Sequence, residues 1–107
     1  MNAEGFRTAA LRVAGAVEAA HMDHPDFRVN GKIFASLGYP DEDCGMVKLT
    51  PTQQRSFMKD APGTFVPCAG AWGKGGATSV HLALVGKRLL NKALRAAAQN
   101  ILAPPKS

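Results

Sequence analysis

Phe6, Ala10, Val13 and Val17 recur at spacings of four, three and four, with Arg7 and Arg12 elsewhere on the cylinder. That period predicts an amphipathic first helix. Gly15 is placed to end it, because glycine accepts the left-handed conformation common after a last helical turn. A strand is expected from about Val17. Further on, Asn30-Gly31 separates the apolar runs Phe27 to Val29 and Ile33 to Phe34. This dipeptide suits the positive φ angles of a two-residue type I′ turn, so a hairpin is predicted with Phe27 facing Phe34. Its buried face is open, since Phe27, Val29 and Phe34 compete with Ile33, Ala35 and Leu37. A sheet covered partly on both sides would reconcile them.

A turn cluster from Gly38 to Gly45, with Pro40 and three acids, leads to a strand over Met46 to Leu49. Thr50-Pro51-Thr52-Gln53 then has a capping Thr, Pro at the first helical position and Gln at the third. A short helix should follow, burying Phe57, Met58 and Ala61 and ending before Pro62-Gly63. Gly70 to Gly76 reads as a glycine-rich loop. After it Thr78, Val80, Leu82 and Leu84 alternate with Ser79, His81 and Ala83, as in a half-buried strand. Past Gly86, Leu90, Ala93, Leu94, Ala97 and Ile101 share one side of a last helix stopped by Pro104-Pro105. The order of elements predicts an α+β domain over residues 1–103, an antiparallel sheet with helices packed on one face, and a tail at 104–107.

Length and composition fit this picture: 107 residues, 46% hydrophobic and 20% charged, suit one globular domain with its own core. No apolar stretch approaches the roughly 20 residues of a membrane span. The first twelve residues lack a signal peptide's basic start and apolar run, so a cytoplasmic protein with no membrane partner is expected; the sequence leaves the oligomeric state open, a monomer being favoured. Cys44 and Cys68 lie outside any Cys-x-x-Cys spacing and are expected to stay reduced. Charge changes the picture more. Residues 1–43 carry four Lys/Arg and seven Asp/Glu, whereas residues 44–107 carry nine and one, a balance of −3 against +8. A basic half attracts nucleic acid or other polyanions.

The candidate chemistry is sparse. His21, Asp23, His24 and Asp26 cluster within six residues, but a His-x-x-His on a strand and turn splays its rings, so no metal is expected. The glycine-rich loop fails both phosphate-loop frames, because Lys74 precedes Gly75-Gly76. Trp72, the sole tryptophan, is either a buried anchor for that loop or, beside Lys74, a stacking platform for bases. Arg88, Lys92 and Arg95 share one face of the last helix, with Lys87 close by, and form a weak candidate anion site. Ser36, Ser56 and Ser79 have no nucleophile elbow, neither cysteine has an assigned base, and no catalytic residue or cofactor is expected.

The segment His21 to Ala35, with Val47-Lys48-Leu49-Thr50 and Gly70-Ala71-Trp72-Gly73, resembles the bacterial YjbR/MmcQ family over nearly the whole chain. The Val-x-Gly-Lys-x-Phe-Ala hairpin and the Trp loop are its most specific parts. The resemblance implies a CyaY-like α+β fold and a double-wing DNA-binding surface, without catalytic residues. The first wing maps to the Asn30-Gly31 hairpin, presenting Arg28 and Lys32, and the second to the loop bearing Trp72 and Lys74. A frataxin-like fold suggests iron on an acidic helix face, but only Glu4 lies in the first helix and Glu18 beyond it, so iron is discounted. The MmcQ name is associated with antibiotic biosynthesis, which adds a small aromatic ligand as a partner. Two expectations therefore stand: a DNA-binding domain working through its wings, and, as the alternative, a small-molecule or protein interaction module with a cleft near Trp72.

Overall fold

The computed structural model describes residues 1–38 and 41–104. In chain order the elements are α1 (Ala3–Leu11), β1 (Val17–His21), β2 (His24–Val29), β3 (Lys32–Leu37), β4 (Cys44–Lys48), α2 (Pro51–Asp60), β5 (Phe65–Pro67), α3 (Gly70–Lys74), β6 (Ala77–His81) and α4 (Lys87–Leu102). The six strands form one antiparallel sheet in the order β1-β2-β3-β4-β6-β5. This is the expected α+β class. No helix among the described residues is long and apolar enough to cross a membrane. Pro40, and Pro105 to Ser107 of the expected tail, lie outside the described residues.

Local signals act where they were read. Asn2 caps α1, accepting the Gly5 N–H at 2.9 Å. The helix closes at Leu11, and Gly15 has φ +81°, turning the chain into β1. Val17 therefore leaves the apolar stripe and sits exposed on the edge strand. At α2, Thr50 Oγ1 accepts the Gln53 N–H while Gln53 Oε1 accepts the Thr50 N–H, a full capping box. Phe57 is buried, as expected, and so is Gln54, one turn before it.

The hairpin turn at Asn30-Gly31 forms with φ of 52° and 75°, but Phe27 does not face Phe34. The pairs are Val29 with Lys32, Arg28 with Ile33, and then Phe27 with Ala35. Phe34 is thus the extra residue of a β-bulge. The bulge settles the ambiguity of faces: Phe34, Ala35 and Leu37 all join Phe27 and Val29 in the main core, while Ile33 turns to the opposite side.

The inner face of the sheet packs on α1 and α4 through Phe6, Leu90, Leu94 and Ala97. A single Cβ at Gly45 would stand 2.6 Å from Cε2 of the fully buried Phe6, so glycine on β4 makes room for that ring. Strand β6 stops at His81, earlier than the alternation predicted, and Leu84 is exposed beyond it. The glycine-rich segment is a short helix instead of a loop. Gly70, at φ +72°, starts it, and Gly73 packs so closely on the Cys68 carbonyl that no side chain fits there. Consequently α3 reaches the outer face of the sheet, where Met46, Cys68, Ala77 and Ile33 form a small second core.

A candidate ligand cleft on the outer face of the sheet

Strand pairing sets Asp26, Ser36, Met46 and Ser79 in one row across the outer face. The β2–β3 turn, Lys32, Lys48 and α3 with Trp72 and Lys74 stand at one end of the strands. The β1–β2 turn and the acidic segment Asp41 to Asp43 stand at the other. Between the ends runs a cleft of about 490 Å³. Ile33, Ser36 and Met46 line it centrally, with His21, Met22 and His24 at the acidic end and Lys48 and Trp72 at the basic end. A smaller depression of about 280 Å³ shares Lys48 and Trp72.

Trp72 is 42% exposed, neither the buried anchor nor a fully solvated platform. Its place depends on Gln54, a residue that sequence reasoning passed over. Gln54 Nε2 is 3.0 Å from the Gly73 carbonyl and 3.1 Å from both the Ala77 carbonyl and Thr78 Oγ1, tying α2 to the segment that carries Trp72. No sequence signal marks Gln54, because its partners lie some twenty residues away and two of them are backbone atoms.

At the acidic end, Asp26 is fully buried on β2. Its carboxylate accepts from Arg28 Nε at 2.7 Å and Arg28 Nη2 at 3.1 Å, and lies 2.8 Å from His21 Nδ1. The Arg28 bonds hold the Asp26 carboxyl below the usual carboxylate range despite its burial, with His21 adding to the effect. His24 packs its ring against Gly38, where a Cβ would meet Nδ1 at 2.9 Å. The two histidines are therefore engaged separately, and among the described residues no three His, Cys, Asp or Glu side chains converge as a metal site. Met22 and Asp23 form the β1–β2 turn with φ of 50° and 65°, so an 86%-exposed methionine is held at the cleft mouth in a left-handed conformation.

One pairing on this face has the look of a nucleophile and base. Cys44 Sγ lies 3.8 Å from His81 Nδ1. Burial first, and then the Asp41 and Asp43 charges, push the Cys44 thiol up to about 11, so it stays protonated near neutrality. Cys68 is also buried and unlinked, and burial raises its thiol too.

The eight basic and aromatic residues singled out in the sequence divide between two surfaces. Trp72 and Lys74 gather at the basic end of the outer face, joined by Lys48, which was not singled out; Lys32 stands at the same end of the strands but pairs with the inward Val29 and so belongs to the opposite face. Arg28 is on the outer face but spends its guanidinium on Asp26. Lys87, Arg88, Lys92 and Arg95 project from α4 on the helical side. Lys87 and Arg95 border depressions along the α1–α4 seam with Arg12, whereas Lys92 leans over the Phe57 ring, 5.9 Å from its centre. These four do not converge on one point.

The family model described as YjbR matches residues 11–98, a span that includes the hairpin and the Trp segment. Among solved structures, the crystal structure of Deinococcus radiodurans protein DR2400, whose domain is described as DUF419, is similar to this chain with a TM-score of 0.78 and 16% identity. The likeness covers 99% of this chain and 82% of that one, and it speaks to fold alone. No curated protein matches the chain.

Proposed function

We propose that this chain, which belongs to the YjbR family, is a binding module that holds a small planar anion in the cleft beside Trp72. The observation that carries the reading is the cleft itself. Its volume of about 490 Å³ is that of a small-molecule site, and apolar Ile33, Met46, Met22 and Trp72 alternate with a few polar groups that can fix orientation. Lys48 supplies a cation at the Trp72 end, and Lys32 and Lys74 stand at the same end of the strands. A flat apolar body against Met46 and Trp72 with its negative group toward Lys48 satisfies both.

The test uses 2-naphthoate and the uncharged 2-naphthamide. Naphthoate should shift the indole N–H resonance of Trp72, the sole tryptophan. Trp72→Ala should abolish binding, and Lys48→Met should weaken naphthoate by roughly two- to fivefold, the scale of an ion pair with a solvent-exposed lysine, while sparing the amide. Binding that survives Trp72→Ala would refute the site.

A nucleic-acid reading draws on the same cations, Lys32, Lys48 and Lys74, and on the basic second half of the chain. It loses Arg28, which is paired with Asp26, and its second wing is a helical turn. Titration of labelled duplex DNA distinguishes the two. Binding that falls steeply with salt and disappears in a Lys32/Lys74 double alanine variant would favour DNA over the small ligand.

A further inference from the structure

Resting on that cleft reading, we infer that its ligand carries a hydrogen-bond donor as well as a negative group: a planar hydroxyaromatic acid whose hydroxyl meets His21 at the end opposite Lys48. The argument starts from Asp26. Both its oxygens are within bonding distance of the Arg28 fork, and Oδ2 is also 2.8 Å from His21 Nδ1. A carboxylate so paired is ionised, and an ionised carboxylate only accepts hydrogen bonds. His21 Nδ1 must therefore carry a proton. In the neutral imidazole the other ring nitrogen, Nε2, is then the lone-pair acceptor.

The His21 side chain is 49% exposed and lines the cleft, whereas Asp26 beneath it is fully buried. Burying a carboxylate is costly unless its bonds are complete, and here they hold one imidazole in one tautomer and one direction. The cleft thus has an acceptor at one end and a cation at the other, with Ile33, Met46 and Ser36 between. A ligand with an aromatic hydroxyl at one end and a carboxylate at the other meets both. Asp26 and Arg28 act as positioning residues for His21 and do not themselves touch the ligand.

Isothermal titration near pH 8 with 6-hydroxy-2-naphthoate and 6-methoxy-2-naphthoate tests the donor directly. The hydroxy compound should bind roughly three- to tenfold more tightly than the methoxy compound, the worth of one net hydrogen bond. His21→Phe should bring that ratio to about one while retaining 2-naphthoate binding and its Trp72 indole shift. Nitrogen-15 spectra of the histidines should show His21 protonated at Nδ1. Equal binding of the two compounds by the wild type, or an Nε2-protonated His21, overturns the inference even if 2-naphthoate still moves the Trp72 resonance. Loss of all naphthoate binding overturns the cleft reading with it.

Discussion

Replacing Gln54 with methionine should loosen the segment carrying Trp72 while leaving the volume beneath it filled. Gln54 is 7% exposed, and its amide nitrogen serves the Gly73 and Ala77 carbonyls and Thr78 Oγ1. Each carbonyl keeps another donor: Gly76 N–H for Gly73 at 3.1 Å and Cys68 N–H for Ala77 at 3.0 Å. Thr78 Oγ1 still donates to the Gly76 carbonyl at 2.7 Å. No buried group is orphaned, so the loss is about two hydrogen bonds' worth, ~1–3 kcal/mol, without a further desolvation penalty. Each kcal/mol should lower the melting temperature by about 4 °C or somewhat more in a domain of this size. Urea denaturation measures the global effect. Amide exchange at Cys68, Gly75 and Gly76 measures the local one, and these amides should open more than the global loss requires, because the bond ties α2 to this segment. A loss below about 0.5 kcal/mol with unchanged exchange at those amides would refute the reasoning.

Gly45→Ala should cost about 1–3 kcal/mol by overpacking, since its Cβ falls 2.6 Å from the Phe6 ring; urea midpoints should show Phe6→Leu recovering part of that loss in the double variant. Asp26→Asn should flatten the acid limb of stability. The folded carboxyl titrates below its usual value, so its contribution is present above the unfolded pKa of about 3.9 and lost as pH falls through the lower folded value. Comparing urea midpoints at neutral and acid pH should show a smaller fall for the variant than for the wild type, and an equal fall would count against the pairing. Met22→Asn should raise stability by up to about 1 kcal/mol, because asparagine accepts the left-handed conformation that Met22 holds at φ 50°. The same change should weaken naphthoate binding by removing a thioether from the cleft mouth, so calorimetry and titration should move in opposite directions.

Local signals in the chain read out well. The Asn30-Gly31 turn, the Thr50 capping box, the Gly15 stop and the apolar stripe of α4 each work within a few residues, and each appears in the fold. What was hidden depends on distant partners. The β1–β2 turn is closed by Met22-Asp23, and although Asp suits such a turn, no turn rule favours Met22, on which strand pairing imposes a left-handed backbone. The helical form of Gly70 to Lys74 rests on Gly73 against the Cys68 carbonyl and on Gln54 from another helix. Pairing of Asp26 with both Arg28 and His21 removes the most prominent wing cation from service, and alternation on one strand carries no trace of the third member. The cleft near Trp72 was legible as an idea, but Ile33, Ser36, Met46 and Lys48 became its lining only through the order of the strands.

The bulge in β3 links the core to the cleft. In an unbroken hairpin Phe34 would pair with Phe27 and share its inward face, so Ala35 and Leu37 would turn outward and Ser36 inward. One extra residue breaks that parity. Phe34 and Ala35 both enter the main core, which contains the largest buried rings of the protein, Leu37 follows them, and Ser36 is set outward in the row of Asp26 and Met46. Burying Leu37 is worth on the order of 2–3 kcal/mol, above what one lost ladder bond costs, so the core dictates the irregularity. The cleft inherits Ser36 beside Ile33 and Met46 from that choice. A site on this face is therefore specified by core packing on the other, and substitutions at Phe34 that restore regular pairing should alter the cleft without touching any residue that lines it.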